Sequence, residues 1–419
     1  MASAGPPARF GPVALTERVE ALDVLRGMAL FGIIASNMRA FNGPMAAYFD
    51  HSLMWQEPAN RIAQIFIDLF ISGKFITLFS FLFGIGFAVQ MERAQARGLA
   101  SQRFYLRRLA VLLVMGVAHM FLLWWGDILM TYALMGFLLF LFRRRSQRTV
   151  LLWSAALYAW PWLLGAAFLT AGAAGASVPS PPIPDSAEIQ RLIQVYATGT
   201  YAQIFHERIK DNLTSMAFIV FYAPRLLGIF LFGLWAWRHG IVGNLAEHRA
   251  LLERCRRWGA LVGLPLNAAM VAIAEIWHPD PTAPTPLGFA QQVIGGVGIP
   301  ALSLSYASAV ALLWQRRQWM PRLRPFGAVG RTALTNYLMQ TVACTLLYYG
   351  YGLGLYGKVG PLLGLVPTFA IYGSQVAASA WWTRRFAFGP MEWIWRTLTY
   401  GRLRSKPQTA AAGATEYTG

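Results

Sequence analysis

His119 and Asp127 stand in the segment HMFLLWWGDILMTYAL, which is otherwise built for lipid. Of the six histidines, only His119 lies well inside a long apolar run. About six residues separate it from the Trp124-Trp125-Gly126-Asp127 turn, which at about 1.5 Å per residue places it roughly 9 Å below a membrane surface. An ionisable group at that depth is expensive and usually faces a bundle interior or a water-filled cavity. A neutral imidazole there is a candidate general base, and it is equally a candidate for a plain hydrogen bond to a neighbouring helix.

Other polar side chains interrupt apolar segments. Asp23 and Arg26 are spaced to pair on one helical face, and Asn37 returns to the same stripe. Asp68 and Lys74 fall in one long apolar stretch, on different faces of an unbroken helix. Lys74 sits in SGKFIT, which lacks the spaced glycines of a phosphate-binding loop. It either pairs with a carboxylate or touches an anionic ligand. Arg225 follows Pro224 at mid-segment, where it either forms a salt bridge with a neighbour or holds a ligand carboxylate or phosphate. Thr332, Asn336 and Gln340 recur every fourth residue as a polar ridge suited to helix-helix hydrogen bonding.

The composition requires these residues to be held by membrane helices. Of the 419 residues 56% are hydrophobic and only 13% charged, with a mean hydropathy of +0.43, far from an ordinary soluble domain. The expected fold is all-α, a polytopic transmembrane bundle over residues 1–382. Ten spans are expected, at about 22–41, 62–90, 106–125, 128–142, 150–171, 214–237, 258–277, 292–314, 332–356 and 361–382. The second is too long for one straight crossing and is expected to tilt or to break near Ser72-Gly73. Trp124 and Trp125 suit a membrane interface. Residues 177–213 form an extracytoplasmic loop with a short amphipathic helix, residues 383–404 an interfacial helix opened by Pro390, and residues 405–419 a disordered tail. The first twenty residues show no removable signal peptide. Cys255 and Cys344 are not placed to pair, and there is no CxxC metal site.

The formal net charge of +18 is distributed unevenly. One set of alternate loops holds 25 Lys and Arg, the other set 5. The positive-inside rule then puts both termini in the cytoplasm and excludes a nucleic-acid partner, since no binding motif accompanies the charge. Asp23, Arg26, Arg331, Asn336 and Gln340 fall in the cytoplasmic half, Lys74 and Arg225 near the middle, and Asn37, Asp68, His119 and Asp127 toward the outside. Basic groups inside suit an anionic donor such as a coenzyme A thioester, and a histidine outside suits proton removal from an acceptor.

Five segments, LDVLRGMALFGIIASN, GKFITLFSFLFGIGFA, HMFLLWWGDILMTYALMG, GRTALTNYLMQT and GPMEWIWR, resemble the signature segments of the YeiB-like proteins of the bacterial inner membrane, in the same order. Through LDxxRG that family is in turn similar to transmembrane acyltransferases that include heparan-alpha-glucosaminide N-acetyltransferase. The second resemblance implies acyl transfer from cytoplasmic acyl-CoA to a small-molecule or lipid-linked acceptor on the other side. Asn37 matches the asparagine that ends the first span of the acetyltransferase; His51 follows at a longer spacing and is left without a role. The expected mechanism uses His119 as general base, Asp127 to orient it and Asn37 as oxyanion donor. Arg26 and Arg331 hold the donor phosphates, with Asn336, Lys74 and Arg225 as further candidates for donor binding. The competing readings are a transporter, or a protein that binds lipid or quinone, without catalysis, or a structural membrane partner. Membrane lipid is an expected partner in each, and a homodimer is compatible with the sequence.

Overall fold

The computed structural model describes residues 20–96, 100–175, 184–279 and 285–401. Residues 1–19, 177–183 of the proline-rich loop and the tail at 405–419 lie outside them. Among the described residues the chain is helical throughout, with no strand. α1 (Glu20–Asn42) is largely buried, its polar Asp23, Arg39 and Asn42 included. α2 (Met45–Phe49) and a 3-10 turn at His51–Leu53 lead to α3 (Pro58–Phe70) and α4 (Lys74–Ala96). The long apolar stretch does break where expected, at Gly73, whose φ of +80° is costly for any residue with a Cβ. α5 (Ala100–Leu122) and α6 (Leu129–Leu141) form an antiparallel hairpin, followed by α7 (Gln147–Ala173) and α8 (Ser186–Thr198). Next come α9 (Tyr201–Arg238), α10 (Arg249–Trp277) and α11 (Pro286–Trp314). The last four are α12 (Met320–Arg331), α13 (Ala333–Tyr348), α14 (Pro361–Arg385) and α15 (Pro390–Tyr400).

Eight of the helical segments are long and apolar enough to cross a membrane, and the chain is a multi-pass membrane protein. The expected fourth and ninth spans correspond to α6, with 13 residues, and α13, with 16. α13 ends early because the glycine-rich segment after Tyr348 folds back on it: Leu353 N–H donates to Leu346 O and Tyr356 N–H to Tyr348 O, both at 2.8 Å. α9 is longer than expected. Its first turns, read from their polarity as part of a loop, are helical from a capping box at Thr200 and Gln203. Their charges are matched within the protein, Glu207 with Arg191 of α8 at 3.0 Å and with Lys210 at 3.2 Å.

The two tryptophans of the WWGD turn are packed within the protein. Trp124 is 1% exposed, stacks on Phe41 at 3.9 Å and donates to Ala40 O at 3.3 Å. Trp395 is likewise packed within the protein, its indole N–H donating to Arg108 O at 2.9 Å, whereas Trp393 is exposed. Both cysteines are free.

α1 and α12 cross at glycines. A Cβ on Gly27 would collide with the Phe326 carbonyl, and one on Gly330 with the Asp23 carbonyl. Backbone thus meets backbone, and Arg26 and Arg331, each the neighbour of one of these glycines, come to line one cavity. Gly116 does the same in the α5–α6 hairpin, lying against the backbone of Leu129 and Met130.

Candidate functional site

The last turn of α5 carries His119, and the chain then doubles back so that Asp127 stands beside it. His119 Nδ1 is 2.7 Å from Asp127 Oδ2. The other carboxylate oxygen, Oδ1, accepts the Met130 N–H at 2.8 Å and so ties the pair to the start of α6. On its far side the imidazole meets α13: Nε2 is 2.9 Å from Thr341 Oγ1. His119 and Thr341 are 2% and 1% exposed. The Tyr337 ring, one helical turn before Thr341, lies 5.3 Å from the imidazole.

A second set of contacts fixes the end of α5. Arg208 of α9 is fully buried and donates through Nη1 to Leu122 O at 2.5 Å and Phe121 O at 3.3 Å, while Asn212 donates to Met120 O at 3.1 Å. These are the C-terminal carbonyls that an α-helix cannot satisfy by itself, and a cation there also suits the helix dipole. Between these two residues Asp211 accepts the Tyr196 hydroxyl at 2.5 Å. Burial pushes the Asp211 carboxyl up to about 6, against the opposing pull of the Tyr196 hydrogen bond.

A cavity of about 300 Å³ opens at the arginine-rich end of the bundle and runs inward between α1, α4, α5, α6 and α13. Arg26, Arg108 and Arg331 line its outer part; Phe79, Leu112 and Ile128 line it deeper, and Tyr337 belongs to its inner wall. Arg26 pairs with Asp23 at 2.8 Å, as the spacing predicts. Arg108 stacks on Trp395 at 3.9 Å and donates to Gln90 at 3.1 Å. Arg331 has no hydrogen-bond or ion-pair partner among the described residues. Glu392 of α15 also lines the cavity and accepts from Leu334 N at 2.7 Å, Thr335 N at 3.1 Å and Thr335 Oγ1 at 2.6 Å. It closes the first turn of α13, and burial raises its carboxyl above the usual range.

The residues expected to act together divide into separate groups. His119 and Asp127 are in direct contact, and Arg26 and Arg331 share the cavity. Asn336 serves α13–α14 packing, donating to Thr332 Oγ1 and Ser379 Oγ at 2.9 Å each, and Gln340 donates to Gln375 at 2.9 Å. No hydrogen bond among the described residues joins Asn37 to His119 or Asp127. Lys74 is 0% exposed and gives its ammonium to the Asp68 main-chain carbonyl at 2.5 Å, a contact that the helix break makes available. Asp68 itself accepts from Gln64 at 2.9 Å and Ser72 at 2.8 Å and lies 3.3 Å from His51 Nδ1. Burial lowers the His51 imidazole below its usual range. Arg225 donates to Tyr158 O at 3.2 Å and lies over the Tyr158 ring at 4.9 Å, between α7 and α9 and apart from the cavity.

Thr341, Tyr337, Arg108 and Glu392 were not singled out by spacing. Thr341 adjoins the polar ridge at Gln340 but is turned about 100° from it around the helix. All four but Arg108 nevertheless fall in segments quoted above, GRTALTNYLMQT and GPMEWIWR.

Residues 236–402 match the family described as "Protein of unknown function (DUF418)". The chain is 35% identical to the uncharacterized protein YxaH of Bacillus subtilis (strain 168), over 93% of this chain and 96% of that one. It is 30% identical to the uncharacterized protein YeiB of Escherichia coli (strain K12), over 91% and 96% of the two chains. An uncharacterized 39.9 kDa protein from the amylase 3' region of Bacillus acidopullulyticus is 31% identical over 93% and 96%. With nearly the whole length of each relative matched, the chain belongs to the YeiB-like DUF418 family.

Proposed function

We propose that this protein is a membrane acyltransferase that takes an acyl group from an acyl-CoA at its arginine-rich end and delivers it to a small-molecule or lipid-linked acceptor reached from the other side. In this reading the arginine-rich end is cytoplasmic, the membrane is the bacterial inner membrane, and α6 and α13 complete ten crossings with both termini inside.

The observation that carries the reading is the cavity: Arg26, Arg108 and Arg331 share its lining with apolar and aromatic side chains, among them Tyr337, whose ring lies 5.3 Å from the His119 imidazole. A volume of about 300 Å³ sits at the small end of ligand sites. It suits a pantetheine arm with a short acyl group, and leaves the nucleotide phosphates among Arg26, Arg108 and Arg331. Guanidinium groups are the natural partners of phosphate. Asp127 orients His119, and His119 supplies the base.

Purified protein melted with acetyl-CoA, with a long-chain acyl-CoA and with free coenzyme A tests donor binding, because a ligand that binds only the folded state raises the melting temperature by mass action. Acyl loss from the thioester, followed in vesicles, tests transfer. The expected result is stabilisation by acetyl-CoA, reduced in Arg331→Ala, with consumption above that of empty vesicles. Absence of both, with dissipation of an ion or solute gradient instead, would move the assignment to transport.

A further inference from the structure

We propose that Thr341 is the nucleophile that carries the acyl group between donor and acceptor; the inference rests on the acyl-transfer reading and deepens it. A carboxylate can only accept hydrogen bonds, so the 2.7 Å contact of His119 Nδ1 with Asp127 makes Nδ1 the protonated nitrogen of the neutral imidazole. Nε2 is then a bare lone pair, and the hydroxyl 2.9 Å away on Thr341 must donate to it. Hydroxyl, imidazole and carboxylate in this order form an activated nucleophile, recognised by geometry and roles whatever the order in the chain.

Ordinary helix packing does not require the arrangement. A threonine inside a helix usually returns its proton to a carbonyl three or four residues back. Thr345 does so to Val342 O at 3.1 Å, and Thr368 to Gly364 O at 2.8 Å. Thr341 Oγ1 is paired instead with a histidine nitrogen from another helix, at 2.9 Å. Met130 N–H holds the second Asp127 oxygen at 2.8 Å, so the carboxylate cannot swing away.

The reacting carbon would arrive from the cavity, whose inner wall includes Tyr337, one turn from Thr341. The Tyr337 hydroxyl accepts the Ile128 N–H at 3.4 Å, and its own proton has no acceptor among the described residues. That proton is placed to meet the oxyanion. Thr341 is 1% exposed and is not part of the cavity lining, so attack requires the side chains between it and the cavity to move aside. In the first step Thr341 Oγ1 bonds to the thioester carbonyl carbon as its proton passes to His119 Nε2. The C–S bond then breaks, and the thiolate leaves with that proton as coenzyme A. In the second step an acceptor hydroxyl or amine attacks the threonine ester, its proton goes to Nε2, and the C–Oγ1 bond breaks with return of the proton to Thr341. No oxidant or further reactant is involved.

The test is acid-quenched mass spectrometry of purified, acceptor-free protein incubated with acetyl-CoA. The expected result is one acetyl group on the peptide that contains Thr341, retained in Thr341→Ser and absent in Thr341→Val. Acyl consumption in vesicles should fall in Thr341→Val by roughly 10³-fold or more, as for loss of a nucleophile from such a group. The acetyl-CoA melting shift should survive in Thr341→Val, which shows that the variant folds and binds. If wild type consumes acetyl-CoA, but carries no acetyl group on Thr341 and Thr341→Val transfers within about threefold of it, the nucleophile is overturned and direct transfer to the acceptor stands. If wild type neither binds nor consumes acetyl-CoA, the acyl-transfer reading falls and Thr341 falls with it.

Discussion

Arg208 donates to the carbonyl of Leu122 at 2.5 Å, so a guanidinium from α9 closes the end of α5 three residues beyond His119. The helix end that carries the imidazole is therefore anchored by a residue that does not line the cavity.

Arg208→Met keeps much of the packing volume and removes the donors. Unsatisfied buried carbonyls cost about 1–3 kcal/mol each, and a lower melting temperature is the expected outcome. Arg208→Lys should recover part of the loss. Equal melting of Arg208→Met and wild type would show that water or another residue takes over the cap.

Asp211 makes this region sensitive to pH. Its carboxyl titrates near 6 in the folded protein against an ordinary 3.8, so the folded state holds the proton more tightly than the unfolded chain. Stability from this group is present below about pH 4 and is lost as pH rises toward 6. Asp211→Asn should flatten the melting profile across that window. An unchanged profile would remove Asp211 as the source.

Arg331 and Arg225 should separate in ligand binding. Arg331 is unpaired among the described residues and lines the cavity; Arg225 is engaged with Tyr158 away from it. Loss of one charge-assisted contact, about 1.5–3 kcal/mol, predicts roughly 10- to 100-fold weaker acetyl-CoA binding for Arg331→Ala. Arg225→Ala should bind as wild type does. Calorimetric titration of both variants decides the matter, and equal weakening would mean that the cavity is not the donor site.

Asp127→Asn tests the orienting role of the carboxylate. The amide can present its NH2 to Nδ1, which favours the tautomer with the proton on Nε2 and leaves no lone pair for a base. Transfer should fall by roughly 10³- to 10⁴-fold, with acetyl-CoA binding retained. Near-normal transfer in a folded Asp127→Asn protein would make the pair structural.

The glycine contact between α1 and α12 predicts a joint effect on stability and donor binding. Gly330→Val must force α12 away from the Asp23 carbonyl, and overpacking of this kind costs about 1–3 kcal/mol or more. Reduced melting temperature with loss of the acetyl-CoA shift is expected, since Arg331 moves with the helix.

Much of this was legible where the controlling relationship is local. The Asp23–Arg26 pair follows from a three-residue spacing, the break at Gly73 from helix length, and the α13–α14 amides from a four-residue ridge. What escaped is long-range or depends on packing. Thr341 meets His119 across a separation of 222 residues, for which periodicity offers no signal. The stacking of Trp124 on Phe41 was not legible because an indole suits an interface and a core equally well in composition, and only its neighbours decide. The first turns of α9 read as loop because their charges are numerous, whereas their partners, such as Arg191, lie on another helix.

The shortness of α6 has a consequence for biosynthesis. In the ten-crossing arrangement proposed above, its 13 residues rise only about 20 Å against a hydrocarbon core of about 30 Å, so the peptide groups between Leu123 and Ile128 would leave the helix within the bilayer. Irregular backbone at that depth persists only when protein covers it. Part of the cover, Phe41 and Ala40 on α1, is made before the hairpin; the rest, Tyr337 on α13, is made some two hundred residues after it. In that arrangement the α5–α6 hairpin would wait in the membrane, incompletely shielded, until late in translation, and a chain released before α13 emerges would present quality-control proteases with an unfinished helix pair.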